Sequence, residues 1–502
     1  MKKFVILLAL FLVTCHVVFA QDAVIRVSFD KVKDPHCYGW ITAQKNSSFS
    51  IPLIQGKMAE HIFKLSQPGF VNLSCYDSAN GARFFSYALY LSPGDDLELK
   101  ADFSEPDFGI KVRGKGSNNN QPLMGIMEEQ EGLYSFYKYK DTIPTRLIEK
   151  LNAQQRIREN NLVKYIALYQ PSQDYIRAWK TDLPYLIAYN YYFFKENNKY
   201  AIWDAYLRNY PKWQKVTDSL FTIAKLNNDE ALSAIHYPQL ISAFLYRENE
   251  RLLTVAERRP QKFYKEWYNT DTLTGQKLLK DDRHNFLQEK IINKYFSGKS
   301  AEYLYTILIE GAIHEGNPQN IPEIFERFKN KYPNSEYITL FAPSIDMIYF
   351  RRKQVLNDKM VFVADNGLKF NTLEDVIANM KGKTVLVDMW GTWCGPCREE
   401  IEKHSASIRE HFKGKKLDYL YIANGDLKNN EQWKKLIAYF NIEGIHMMAN
   451  DSLTKDIMAK VKGQGFPTVF IIKKDGNVEL SKTQSPINEE ILIGQLEAAL
   501  KE

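Results

Sequence analysis

Cysteine is scarce: the chain of 502 residues has five. That excludes a small scaffold dense in disulfides and confines any thiol chemistry to a few positions. Net charge is also low, +6 over the whole chain, and falls further if Lys2 and Lys3 leave with an export signal. No run of Lys and Arg tracks a phosphate backbone, so nucleic acid is not an expected partner. Long apolar runs are missing beyond the N-terminus. A membrane-spanning helix needs about 20 apolar residues. The stretch 185–194 (YLIAYNYYFF) is too short for that and reads as a buried helix or strand. The remaining composition is that of ordinary globular domains, and the length allows about two to four of them.

The first twenty residues have the form of an export signal. Lys2 and Lys3 precede the apolar run Phe4 to Val13, and Val18-Phe19-Ala20 offers a small residue at a cut before Gln21. The sequence Leu12-Val13-Thr14-Cys15 is a loose lipidation motif, but Thr14 suits it poorly and the apolar stretch continues past Cys15. Cleavage after Ala20 is therefore the preferred reading over lipid anchoring at Cys15. The expected location is the periplasm or cell envelope, an oxidising setting for the four remaining cysteines, Cys37, Cys75, Cys394 and Cys397.

Hydropathy period divides the rest. Residues 22–118 alternate in short apolar segments separated by turn residues. Ile25, Val27 and Phe29 share one face, as do Val71, Leu73 and Cys75. This spacing predicts a β-sandwich-like N-terminal domain, closed by the polar break Gly114–Asn120. Residues 121–350 change to a helical period. In 320–332, Ile324, Phe325, Phe328 and Tyr332 fall on one face, with Pro322 in the first turn and Pro333 after the last. No clean repeat is present, so this middle region reads as all-α, an irregular bundle or short solenoid. Residues 355–502 alternate strand and helix, which predicts a mixed sheet covered by helices.

The chemistry concentrates in the last segment. The strand-like run 383–390 leads into Cys394-Gly-Pro-Cys397 and then a helical stretch. A cysteine at a helix N-terminus meets unpaired N–H groups and the positive end of the macrodipole. These lower a thiol pKa toward about 7 or below and populate the nucleophilic thiolate. Cys397 lies one turn on, within reach of a mixed disulfide on Cys394. A structural zinc site needs a second close ligand pair, and Cys37 and Cys75 are far apart in sequence. Haem attachment needs His after the second cysteine, and position 398 is Arg. An inert disulfide across so short a loop gains little chain entropy. Dithiol redox chemistry is the preferred reading.

The stretch 385–400 (VLVDMWGTWCGPCREE) resembles the active-site segment of the thioredoxin superfamily, and Gly465-Phe-Pro-Thr468 resembles its cis-proline loop. The motif spacing, with an extra helix-bearing insert before Pro467, is most similar to the exported TlpA/ResA-like branch. The β segment ahead of the helices resembles, more weakly, the small domain found before such modules. The resemblance implies a C-terminal α/β thioredoxin-like fold and an exported thiol–disulfide oxidoreductase without a cofactor or metal. Cys394 would be the attacking thiolate, Cys397 the resolving thiol, and Pro467 a cis-proline opposite them. Asp388 would be a buried carboxylate that accepts the Cys397 proton. Trp393, Gly395, Pro396, Phe466 and Thr468 would contact substrate. Thioredoxin itself places a lysine near the buried Asp; here Asn424 stands at about that position, which would leave the Asp388 charge less stabilised and its pKa higher. The implied partners are protein thiols or disulfides and a membrane or periplasmic electron donor. The Gly-Pro pair favours reduction. An envelope scaffold whose thioredoxin module mainly holds a partner is the competing class. Cys75 reads as a small buried hydrophobe by default. Cys37 and Cys75 are open to pairing if their Cα atoms come within about 7 Å.

Overall fold

A computed structural model of the chain describes residues 21–42, 47–54, 56–65, 67–80, 83–106, 108–122 and 143–502. The expected export signal over 1–20, with Cys15, lies outside them. The chain forms two compact units. One runs to Thr254 and includes Ile291–Leu304; the other comprises Val255–Lys290 and Tyr305–Glu502. The helical region expected over 121–350 is thus divided between them. Among the described residues, no helix is long and apolar enough to cross a membrane.

In the first unit, the predicted strand alternation becomes two four-stranded sheets. One has the order β4-β1-β7-β8 and the other β3-β2-β5-β6. Here β1 is Gln21–Asp30, β2 Pro35–Ile41, β3 Phe49–Ile51, β4 Ala59–Leu65, β5 Gly69–Asp77, β6 Arg83–Leu91, β7 Asp96–Asp102 and β8 Lys111–Lys115. Ile25, Val27 and Phe29 meet Val71, Leu73 and Phe85 in one shared core, because side chains two apart on a strand face the same way. The register of β2 on β5 sets Cys37 directly opposite Cys75. Their Cα atoms are 4.2 Å apart and the structure pairs them as a disulfide, so Cys75 is a bonded cysteine as well as a core residue.

The break Gly114–Asn120 is more than a linker. Gly116 takes φ +93 ahead of the short turn Ser117–Asn119, a backbone that L side chains resist. That turn delivers Asn120, 2% exposed, into the fold. Its Oδ1 accepts from the Tyr90 N–H at 2.7 Å and its Nδ2 donates to the Tyr90 carbonyl at 2.9 Å, so one side chain satisfies the edge of β6. Phe70 and Tyr90 then pack on Tyr165, Tyr175 and Trp179. The last three come from helices Pro144–Tyr169 and Gln173–Asn198, where aromatic residues supply the core that the sequence pattern implies.

The second unit holds a six-stranded sheet of order β14-β13-β10-β11-β12-β9. Its strands are β9 Met360–Phe362, β10 Thr384–Trp390, β11 Leu417–Asn424, β12 Gly444–Ala449, β13 Thr468–Ile472 and β14 Val478–Leu480. β10, β11, β12 and β9 are parallel, while β13 runs antiparallel to β10 and β14 antiparallel to β13. Alternation along β10 sorts its two faces. Val385, Val387 and Met389 pack with helices Leu373–Asn379 and Asp451–Val461. Leu386 and Trp390 point to the other layer, the layer that carries the Cys397 helix. Asp388, with the same parity, therefore lies beneath that helix.

Candidate active site

The dithiol loop leaves the C-terminal end of β10 and is held by buried polar groups. Gly391 is required: a Cβ there would meet Trp393 Nε1 at 2.5 Å and the Asn424 carbonyl at 2.9 Å. Asp426, fully buried, accepts from the Thr392 N–H at 2.7 Å and from the Thr392 hydroxyl at 2.5 Å. Burial pushes its pKa up, and the two bonds from Thr392 oppose that shift. Trp393 donates its indole N–H to the Asn424 carbonyl at 2.8 Å and meets Phe466 edge-on at 5.6 Å. Even so it remains 56% exposed, an aromatic face available beside the sulfurs.

Cys394 is the N-cap of helix Gly395–Glu400, and its Sγ accepts from the Cys397 N–H at 3.2 Å. A hydrogen bond to sulfur from an otherwise unpaired helix N–H favours the thiolate. The helix continues through the π-turn Ile401–Ser405 into Ala406–His411, which lengthens the dipole behind that cap. The structure pairs Cys394 with Cys397, Cα to Cα 5.3 Å. Cys397 is fully buried and Cys394 is 4% exposed. The sulfur nearer the surface is thus the one the cap activates.

Two further features adjoin the loop. The turn after helix Gly298–His314 lies beside it: a Cβ on Gly395 would sit 3.8 Å from the Glu315 carbonyl oxygen and 4.0 Å from Arg398 Nη2. Arg398 folds its guanidinium back toward the loop, with Nε buried and without a hydrogen-bond partner among the described residues. Burial lowers its pKa and the Glu315 charge offsets part of that shift. It remains a cation, and an electropositive neighbour favours a thiolate.

Asp388 pairs across the sheet with Tyr421 on β11 and Val469 on β13. Its Oδ1 is buried and has no hydrogen-bond partner among the described residues. Burial first, and the Glu400 charge second, push the carboxyl up to about 7. A group with that pKa exchanges protons near neutrality and is matched to a thiol. Asn424 does not sit near it. Its side chain accepts from the Thr454 hydroxyl at 2.9 Å, and its backbone carbonyl holds Trp393. Sheet register places Tyr421, not Asn424, across from Asp388. The cation of that region is Arg409, which reaches the Tyr421 hydroxyl at 3.3 Å.

The Phe466–Pro467 peptide is cis. Phe466 packs on the cluster that contains Cys394 and Cys397, so this loop adjoins the dithiol. Thr468 is buried, donates its hydroxyl to the Gly465 carbonyl at 2.5 Å and faces Met389 on β10; it closes the loop from within. Trp393, Pro396 and Gly465 are the exposed parts of the rim. The sequence pattern assigns no role to four residues that hold or tune the site: Asp426, Arg398, Glu400 and His404. Glu400 follows Cys397 by three positions, which places it on the same helical face; that spacing is the signal the sequence offers.

A family model described as thioredoxin-like matches residues 382–478, the span from the start of β10 to β14. The C-terminal domain belongs to the thioredoxin superfamily. The thiol-disulfide oxidoreductase ResA of Bacillus subtilis is 27% identical over 105 residues, covering 20% of this chain and 54% of its own. The sporulation thiol-disulfide oxidoreductase A of the same organism is 26% identical over 117 residues, covering 22% and 64%. The chain thus spans between half and two thirds of the length of these curated relatives. Among solved structures, the thioredoxin domain of a thiol-disulfide oxidoreductase from Bacteroides vulgatus is similar at 23% identity. It covers 24% of this chain and 83% of its own, with a TM-score of 0.21.

Proposed function

We propose that the protein is an exported thiol–disulfide oxidoreductase that reduces protein disulfides through Cys394 and Cys397. The observation that carries this reading is the capping geometry: Cys394 Sγ on the Cys397 N–H at a helix start, with Asp388 held near neutrality beneath it. In the reduced form, the Cys394 thiolate attacks a substrate disulfide. One sulfur–sulfur bond forms, another breaks, and the first substrate thiolate leaves and takes a proton from solvent. Cys397 gives its proton to Asp388 and attacks Cys394. The second substrate thiolate leaves, and the protein holds the Cys394–Cys397 disulfide. Two electrons pass from the dithiol to the substrate, and a dithiol donor in the membrane or periplasm restores them.

Trp393, Pro396 and Gly465, with the half-buried Phe466, form the surface on which an extended substrate segment would lie. Gly395 leaves room for the approach. The β domain and the helical residues position partners, and the N-terminal segment directs export. The direction follows from the reduction potential, where about 30 mV is already 1.4 kcal/mol for a two-electron couple. Reduction of insulin disulfides by dithiothreitol, with the wild type and Cys394→Ser compared, tests the reading. The expected result is a rate for the wild type well above the uncatalysed background and none for the variant. Equal rates reject the enzyme.

A further inference from the structure

A carboxylate that accepts a proton from Cys397 in every cycle has to release it, and Asp388 Oδ1 has no partner among the described residues to take it directly. Beside it lies a cavity of about 30 Å³, lined among others by Asp388, Glu400, His404, Tyr419 and Tyr421. That is room for roughly two water molecules. On its far side, Glu400 is held by the Ser485 hydroxyl at 2.8 Å and the Ile487 N–H at 3.1 Å. His404 Nε2 stands 3.4 Å from Glu400 Oε2, and His404 Nδ1 is 2.6 Å from Glu489 Oε1. Side-chain exposure rises along this series, 7% for Glu400, 19% for His404 and 31% for Glu489. The groups therefore run from the cavity beside Asp388 to the surface, with contacts of 3.4 Å and 2.6 Å beyond Glu400.

We infer that Glu400, His404 and Glu489 form the proton route between Asp388 and solvent, with His404 as the positioning residue that relays the proton. This rests on the dithiol reaction proposed above. The cavity bridges Asp388 to Glu400. Glu489 holds Nδ1 and leaves Nε2 turned to Glu400. An imidazole can take a proton on one ring nitrogen and give one up from the other. The titratable groups that share the cavity with Asp388 are Glu400 and His404 from the dithiol helix and its π-turn, and Tyr419 and Tyr421 from β11, with Arg409 on the Tyr421 hydroxyl. Those facing His404 are Glu400 and Glu489, while Lys403 is turned to Glu399. Lys403 also feels the Glu400 charge, but its ammonium is bonded to Glu399.

The test uses the reduced full-length protein and dithiobis-nitrobenzoate in rapid mixing. Attack by Cys394 releases a first coloured thiolate; resolution by Cys397 releases a second. His404→Ala is expected to leave the first phase unchanged and slow the second roughly 10- to 100-fold in weak buffer below neutral pH. Added imidazole is expected to restore it. Glu489→Gln, which keeps the side-chain shape, is expected to slow the second phase in the same pH range and carries the test if His404→Ala does not fold. A second phase of unchanged rate and pH profile, or a slow one that imidazole does not restore, overturns the route. A wild type that releases only one thiolate rejects the dithiol reaction itself and the route with it; normal wild-type release with an insensitive His404 variant rejects the route alone.

Discussion

Asp388→Asn is expected to stabilise the protein by about 4 kcal/mol at pH 8 while it slows resolution of the mixed disulfide. The folded-state carboxyl sits at about 7 against an ordinary value of 3.8. Between these two values the unfolded chain gives up a proton that the folded chain keeps. Stability therefore falls as pH rises through that window, then levels off above pH 7, where both states are ionised. Each pH unit of that window costs about 1.4 kcal/mol. The amide carries no charge, so the variant loses this decline. Its advantage over the wild type is small near pH 4 and largest above pH 7. Chemical denaturation at a series of pH values measures it. Activity moves the opposite way. The wild-type resolution rate rises as Asp388 ionises, with a midpoint near 7, and this limb is absent in the variant. A variant no more stable than the wild type at pH 8 would place the carboxyl at an ordinary pKa and remove it from the mechanism.

Cys397→Ser is expected to reduce turnover roughly 100-fold or more and to trap substrate on Cys394 as a mixed disulfide. Cys397 is fully buried and its N–H holds the Cys394 sulfur, so serine fits the site but cannot complete the exchange. The two other cysteines of the described chain are joined to each other in the first unit and offer no substitute thiol. Non-reducing electrophoresis and intact mass should show the covalent adduct, lost when Cys394 is also replaced by Ser. An adduct that still clears at the wild-type rate would remove Cys397 from the resolving role.

Much of this site is legible in the sequence because its geometry is local. The strand run into Cys394-Gly-Pro-Cys397 fixes a helix cap, and strand parity sends Asp388 to the face of Leu386 and Trp390. What depends on register is not legible. The approach of Cys37 and Cys75 needs the pairing of β2 with β5. The resemblance puts Asn424 at about the position of the family's lysine near the buried Asp, whereas the sheet pairs Asp388 with Tyr421, three residues earlier. Asn120 reads as part of a polar linker because composition does not distinguish a solvated Asn from one that satisfies a buried backbone edge. The link from Glu400 through His404 to Glu489 depends on a contact between His404 and Glu489, 85 apart in sequence, and its first step runs along a π-turn. The described helices from Pro144 onward follow from their period, but their division between two units is set by packing of surfaces that the period does not order.

The dithiol assignment is tested most directly by one redox titration. The purified protein is equilibrated across thiol–disulfide buffers, trapped by alkylation and digested for mass spectrometry. The predicted result is that Cys394 and Cys397 gain label together in one two-electron transition, with a tenfold change per ~30 mV. A peptide that holds both cysteines in one state at every potential would contradict the assignment.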